Sequence, residues 1–146
     1  MTLTNHLLTG AVLSKFLPLP VALPLAFASH FVLDALPHFG FPNEGVSHKH
    51  SRRLYSVIAL DFIVGIIISV WLINDGHPTW LLGGLVAFSP DLMWIYRFAI
   101  PEKFGKLPAS KGNLLVQFHT NIQKYERQWG IFVELVYGTV LFTVLW

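Results

Sequence analysis

The sequence contains no cysteine. Disulfide bonds, thiolate metal sites and cysteine nucleophiles are therefore excluded, and any metal ion must be held by histidine, aspartate or glutamate side chains. Charged residues are also scarce, at 12% of the 146 residues, which is about half the fraction usual in a soluble domain. The chain has no glycine-rich phosphate loop, no G-x-S-x-G elbow and no H-E-x-x-H helix, so it lacks the best-marked nucleotide, serine-hydrolase and zinc-protease motifs.

Apolar residues, in contrast, are in excess. They make up 53% of the chain, and the mean hydropathy is +0.55. A core of this size cannot bury so much apolar surface, so membrane lipids must cover the rest. We therefore predict a single membrane-embedded helical domain over residues 1–146. Its net charge of +2 is a guide to membrane topology, and no nucleic acid partner is expected.

The predicted fold class is all-α integral membrane. Three apolar segments of roughly 20 residues are long enough to cross a bilayer, at 55–73, 79–98 and 129–146. Two shorter helices, 4–16 and 21–37, precede them and are separated by Leu17-Pro18-Leu19-Pro20. These two helices form either a single broken span or a re-entrant helical hairpin, and two prolines so close together favour the hairpin.

Positive charge indicates how the chain is oriented. It is concentrated in the predicted loops 39–53 and 97–128, whereas the turn 74–78 has no lysine or arginine. The two basic loops flank one pair of spans and so lie on the same side of the membrane. The positive-inside rule makes that side cytoplasmic, which predicts a bacterial-type inner membrane protein.

The strongest local pattern is His30-x3-Asp34-x3-His38, in which a potential metal ligand recurs every four residues. On a helix His30 and Asp34 would share one face roughly 6 Å apart, close enough to hold one divalent ion. Pro37 is expected to end the helix and leave His38 beyond it, able to turn back to the site. The hairpin would bring His6 to the same level. The alternative is a helix end with a capping histidine and an unrelated acid.

Each predicted span also carries one acid in an apolar run: Asp61, Asp91 or Glu134. At about 1.5 Å per residue, these acids and Asp34 fall within roughly 6–11 Å of the cytoplasmic interface. Carboxylates at one depth repel one another unless a cation joins them, and charges at membrane depth usually mark a site or a conduit. Each span acid also has a structural interpretation: a helix cap for Asp91, a hydrogen bond to a neighbouring helix for Asp61, and hydration for Glu134.

Three segments resemble elements of one protein family. Thr4–Ala11 is similar to an N-terminal T-H-x-x-x-G element, Ser29–Asp34 to an S-H-[apolar]3-D helix, and Ser89-Pro90-Asp91 to a P-D element. These elements are those of the small bacterial proteins called membrane-bound metal-dependent hydrolases, the YdjM-like group. The H-x3-D spacing is also similar to that of zinc-dependent phospholipase C. The chain departs from the family pattern at Leu92-Met93, where a second acid is expected, and has only Ser47–His50 in place of an H-R-G-x-T-H loop.

The resemblance implies a divalent metal and a hydrolytic role, with His6, His30, Asp34 and Asp91 as ligands. Together with the residue patterns, it leads us to expect a metal-dependent hydrolase acting on a phosphoester or lipid-like substrate at the cytoplasmic face. The metal is expected to be Zn²⁺, drawing its ligands from a set of six residues: His6, His30, Asp34, His38, Asp91 and His119.

The remaining catalytic groups are assigned by chemistry. Zn²⁺ lowers the pKa of its bound water to about 7, and Asp61 or Asp91 is the expected acceptor of the water's proton. Three lysines are expected to hold an anionic lipid head group or a phosphate, namely Lys103, Lys106 and Lys111. His119 is otherwise an ordinary residue of a loop or an amphipathic helix.

Two other functions are compatible with the sequence. Broken helices with acids at one level also occur in ion-coupled transporters, although Asp75 and His77 are the only polar candidates in the turn on the other side. The second is a structural membrane module, in which the acids only join helices.

Overall fold

The computed structural model describes residues 1–40, 52–93, 114–122 and 125–146. In these ranges the chain is mostly helical, as predicted. The α-helices are α1 (Leu3–Phe16), α2 (Leu19–Asp34), α3 (Arg52–Asn74), α4 (Pro78–Phe88), α5 (Leu114–Ile122) and α6 (Gly130–Leu145). A 3-10 turn, Ser89–Asp91, follows α4. Two short strands, β1 (His38–Phe39) and β2 (Glu126–Arg127), form a parallel pair in which His38 lies opposite Glu126.

Helix α1 is the centre of the molecule and packs against α2, α3, α4 and α6. Its middle is buried on all sides, and Leu7, Leu8 and Ala11 contribute to an apolar core with Ile68 and Leu72 of α3. The N-terminal half of α1 therefore lies in the interior, although it carries polar side chains there.

Glycine makes the contact between α1 and α4 unusually close. A Cβ atom placed on Gly10 would lie 2.1 Å from the carbonyl oxygen of Gly83, and one on Gly83 would lie 2.4 Å from the carbonyl oxygen of Gly10. The two backbones touch because neither residue has a side chain. Small residues at a helix contact allow this approach in membrane and soluble proteins alike.

The predicted hairpin is present. Helix α1 ends at Phe16, and Pro18 occupies the N-cap position of α2, where its fixed φ suits the start of a helix. Helix α2 begins at Leu19, two residues earlier than expected, so Pro24 lies inside it. It ends at Asp34 with Ala35 as its C-cap, three residues before the predicted end at residue 37.

The predicted membrane spans are supported in part. Within the described residues only one helix is both long and apolar enough to cross a bilayer, the Tyr55–Asn74 part of α3. Helices α2 and α6 are apolar but have 16 residues each. Helix α4 stops at Phe88 because Ser89 and Pro90 enter the 3-10 turn, so the predicted 79–98 segment is not one continuous helix.

Candidate metal centre

The last turn of α2 holds the first two residues of the site. His30 and Asp34 are four residues apart on the helix, and both side chains are fully buried. The Nε2 atom of His30 lies 3.3 Å from the Oδ2 atom of Asp34. The predicted sharing of one helix face is therefore confirmed.

Two further residues reach this pair from distant parts of the chain. Asp91 comes from the 3-10 turn after α4, and its Oδ1 lies 3.7 Å from Nε2 of His30. His119 comes from α5, and its Nε2 lies 2.9 Å from both Nε2 of His30 and Oδ2 of Asp34. One ligand atom from each of the four residues lies within 4.8 Å of the other three. This His/Asp cluster could hold a metal ion.

The spacing of the ligand atoms suits a small ion. Four ligands bound tetrahedrally at the distances usual for zinc lie roughly 3.3 Å from one another. Among the four residues the measured separations are 2.9 Å for His30–His119 and Asp34–His119, 3.3 Å for His30–Asp34, and 3.7 Å from Asp91 to each histidine. Five of the six separations are thus close to those of a tetrahedral site, and the sixth, between Asp34 and Asp91, is within 4.8 Å.

The ring of His30 is oriented as a metal ligand requires. Its Nδ1 donates a hydrogen bond to the carbonyl oxygen of Ala87 at 3.0 Å. A carbonyl oxygen only accepts, so Nδ1 must carry the proton, and in the neutral ring Nε2 then has the lone pair. That lone pair faces an imidazole nitrogen and two carboxylates. A metal-bound histidine is commonly held in this way by a second hydrogen bond to a backbone carbonyl.

Burial makes the charges in the cluster expensive unless they are compensated. His30, Asp34 and His119 are fully buried, whereas the side chain of Asp91 is 18% exposed. The buried charge of Asp34 is compensated by its neighbours, since Nε2 of His119 lies 2.9 Å from Oδ2 and the amino group of Met1 contacts Oδ1. Asp91 marks the side from which solvent reaches the cluster.

The ring of Phe31 packs against both histidines of the cluster. Phe31 contacts His30 edge-on, with ring centroids 5.2 Å apart. Phe31 also contacts Phe118 of α5 edge-on, with ring centroids 5.4 Å apart. Phe27 extends this row along α2, and Phe27 and Phe118 are both substantially exposed. An apolar surface thus leads from the outside of the molecule to the edge of the cluster.

His6 is next to the cluster, as the hairpin predicted. Its ring stacks on that of His30 with centroids 4.1 Å apart, and its Nε2 lies 3.2 Å from Oδ1 of Asp34. A carboxylate oxygen only accepts, so Nε2 of His6 carries the proton and donates the hydrogen bond to Asp34. The amino group of Met1 also contacts Oδ1 of Asp34.

Other predicted site residues are placed elsewhere. His38 is buried in β1, where its Nδ1 donates to the carbonyl oxygen of Leu36 at 2.7 Å and its Nε2 lies 3.9 Å from Glu126. Asp61 accepts hydrogen bonds from the backbone N–H groups of Leu3 at 2.7 Å and Thr4 at 3.1 Å. The structure does not bring His38 or Asp61 into the four-residue group.

Glu134 has a role that its sequence position did not indicate. It is 4% exposed, not hydrated as one interpretation suggested. It accepts hydrogen bonds from the backbone N–H groups of Thr2 at 2.9 Å and Phe39 at 2.8 Å, and from the Asn5 side chain at 3.2 Å. The carbonyl of Ala87 was also missed, because a backbone group has no signature in the sequence.

Some predicted residues lie outside the part of the chain that the structure describes. They are the Ser47–His50 segment, which stands in place of the family loop, and the three candidate anion-binding lysines, Lys103, Lys106 and Lys111.

Comparison with known proteins adds no relative. The chain matches no family model, and neither the curated proteins nor the solved structures contain a significant match to it.

Proposed function

We propose that this protein is a membrane-embedded, metal-dependent hydrolase with His30, Asp34, Asp91 and His119 as its metal ligands. The observation that carries the proposal is the convergence of their four ligand atoms within 4.8 Å of one another. Two imidazoles and two carboxylates form a donor set that Zn²⁺ accepts, and the two imidazole nitrogens suit Zn²⁺ better than Mg²⁺ or Ca²⁺, which prefer oxygen ligands. The resemblance to membrane-bound metal-dependent hydrolases agrees with this choice.

The proposed chemistry is hydrolysis by an activated water. A bound Zn²⁺ would supply a nucleophile at neutral pH by lowering the pKa of a water to about 7, and this water would take the coordination position of Asp91, the partly exposed ligand. Asp91 is the best-placed proton acceptor, because it is the partly exposed member of the cluster. Asp61 is less suited, since both of its oxygens already accept backbone hydrogen bonds.

The proposed substrate is a phosphoester or lipid-like molecule at the cytoplasmic face of an inner membrane. The exposed apolar side of α3 supports a bilayer environment, as do the exposed apolar residues of α2 and α6. We propose that α4 with the segment after it, and α6, complete a three-span layout around the re-entrant α1–α2 hairpin. The apolar row of Phe27, Phe31 and Phe118 would suit the hydrocarbon part of such a substrate.

The proposal is tested by elemental analysis of the detergent-solubilised protein, together with hydrolysis of chromogenic phosphoesters and of phospholipid in mixed micelles. We expect stoichiometric zinc in the wild type. We expect metal content and hydrolysis to fall to background in the Asp34→Asn and His119→Gln variants. His77→Gln is the matched control, because His77 lies in the turn before α4, where it stacks on Trp80.

The result separates two functions. A wild type that binds no divalent metal under any loading condition, and variants that differ from it only in stability, would support the structural membrane module instead. One observation favours that alternative: Asp61 and Glu134 serve as hydrogen-bond acceptors between helices. Metal binding without hydrolysis of any ester would contradict the enzymatic part of the proposal alone.

A further inference from the structure

The two oxygens of Asp34 are used differently. Oδ2 faces the proposed metal ligands and lies 3.3 Å from Nε2 of His30 and 2.9 Å from Nε2 of His119. Oδ1 faces the other way and accepts the hydrogen bond from Nε2 of His6 at 3.2 Å. His6 thus bonds to Oδ1 of Asp34, whereas the nitrogens of the two proposed histidine ligands lie near Oδ2. It is also absent from the group whose ligand atoms converge.

His6 touches two of the proposed ligands at once. Besides its hydrogen bond to Asp34, its ring lies against that of His30, with 4.1 Å between centroids and 24° between planes. A fully buried ring in this position limits the rotation of both neighbours. Such outer contacts fix the direction in which ligand atoms point, and losing one commonly weakens metal affinity about 10- to 100-fold.

The helix that carries His6 is fixed at its start by other helices. The first N–H groups of a helix have no partner within it, and Thr2 at the N-cap makes no side-chain capping bond. Carboxylates of other helices accept the hydrogen bonds of these N–H groups instead. Asp61 of α3 accepts from the N–H groups of Leu3 and Thr4, and Glu134 of α6 accepts from that of Thr2.

These hydrogen bonds at the start of α1 are also favoured by electrostatic attraction. A carboxylate near a helix N-terminus is attracted by the helix dipole, and the attraction is larger at a partly buried site than at the surface. Both oxygens of Asp61 and both oxygens of Glu134 accept backbone hydrogen bonds. His6 lies one turn later on α1, and its backbone N–H donates a hydrogen bond to the carbonyl oxygen of Thr2 at 3.2 Å.

We infer that His6 is a positioning residue that orients Asp34 and His30 without itself binding the metal, and that Asp61 and Glu134 keep His6 in place by anchoring the first turn of α1. The inference rests on the proposed metal site. It assigns to His6 and Asp61 a different role from those expected from the sequence. It also explains why an isolated acid occurs inside each of α3 and α6.

The test is titration of the metal-free, detergent-solubilised full chain with Co²⁺, followed by visible absorption. His6→Leu removes the donor to Asp34, whereas His6→Gln keeps a side-chain N–H donor but is a poor metal ligand. We expect His6→Leu to weaken Co²⁺ affinity about 10- to 100-fold. We expect His6→Gln to stay within a few fold of the wild type, with the wild-type absorption bands in both variants at saturation.

The outcomes separate the inference from the proposed function. If His6→Gln and His6→Leu weaken binding equally and shift the absorption bands, His6 is a ligand and the inference is overturned, while the metal site stands. Unchanged affinity in His6→Leu overturns it as well. If the wild type binds no Co²⁺, both the proposed function and the inference are overturned.

A double-mutant cycle tests whether Asp61 acts on the metal site through His6. Asp61→Asn should weaken Co²⁺ affinity several-fold in the wild type but have little further effect in a His6→Leu background, because the two residues act on the same ligand. A purely structural role would lower affinity by the same factor in both backgrounds and would overturn the coupling. Glu134→Gln offers the same comparison if Asp61→Asn does not fold, and His77→Gln is the control that should change nothing.

Discussion

The Nδ1 atom of His30 on α2 donates a hydrogen bond to the carbonyl oxygen of Ala87 on α4, at 3.0 Å. This bond determines which ring nitrogen carries the proton, and it directs the Nε2 lone pair toward Asp34, Asp91 and His119. It also joins two helices whose sequences are far apart. The orientation of the proposed ligand and the packing of the hairpin against α4 are therefore one structural feature.

The two nitrogens of His30 can be tested separately. Asparagine at this position offers an amide N–H in place of Nδ1–H but has no atom at the position of Nε2. We expect His30→Asn to retain most of the thermal stability of the wild type and to lose zinc affinity by more than the roughly 100-fold typical of an outer-shell change. His30→Leu should lose both thermal stability and zinc affinity, because it also leaves the Ala87 carbonyl without its hydrogen bond from His30. Equal zinc affinity in His30→Asn and the wild type would contradict the assignment of Nε2 as a ligand.

Metal removal should destabilise the folded protein. A ligand that binds only the native state stabilises it by about 2.7 kcal/mol when its free concentration is 100 times Kd. We expect the unfolding temperature in detergent to fall on chelation and to recover when zinc is restored, because the carboxylates of Asp34 and Asp91 repel each other unless a cation joins them. The His119→Gln variant should show the same unfolding temperature with and without chelator. A chelator effect of wild-type size in that variant would place the metal elsewhere.

The contact between α1 and α4 should be sensitive to a single methyl group. A Cβ on Gly83 would lie 1.9 Å from Oγ of Ser14 and 2.4 Å from the Gly10 carbonyl oxygen, and a backbone oxygen has little room to move. We expect Gly83→Ala to cost about 1–3 kcal/mol or more of unfolding free energy, measured by thermal or denaturant unfolding in detergent. Gly65→Ala is the comparison, since its Cβ would meet only the flexible end of the Leu3 side chain. A smaller cost for Gly83→Ala than for Gly65→Ala would contradict the close packing.

The apolar surface of α3 can be mapped with introduced cysteines, since the chain has none of its own. Ile67 is 61% exposed in the protein, and the side chain of Asp75 is 55% exposed at the end of the helix. In native membranes we expect a water-soluble maleimide to label Asp75→Cys and to leave Ile67→Cys unlabelled until detergent or denaturant is added. Comparable labelling of both variants in intact membranes would show that α3 faces water.

Much of the site was accessible from local patterns. The four-residue spacing placed His30 and Asp34 on one helix face, and the two prolines near residue 18 predicted the turn that brings His6 to the same level. These are relationships within one helix or between two arms of a short hairpin. The rise and period of a helix determine them without reference to the rest of the fold.

His38 and His119 were both candidate ligands on the sequence, and only the packing of the chain shows which of them reaches the cluster. His38 is four residues from Asp34, yet it enters β1 and faces Glu126, because the helix ends at Asp34 and the chain pairs with β2. His119 is 89 residues from His30, yet their Nε2 atoms are 2.9 Å apart. Likewise the acids that looked equivalent by depth divide into Asp34 and Asp91 in the cluster and Asp61 and Glu134 at the start of α1.

The sequence by itself determined that the protein is helical and apolar, that it bends at Pro18, and that His30 and Asp34 share a face. Composition and helical period are local properties, and they need no knowledge of neighbours. Only the tertiary structure decided which distant residues complete the cluster, which nitrogen of His30 faces it, and which carboxylates serve as helix anchors. Those choices depend on how helices cross and on which backbone groups are left without partners, and both arise only when the helices are packed together.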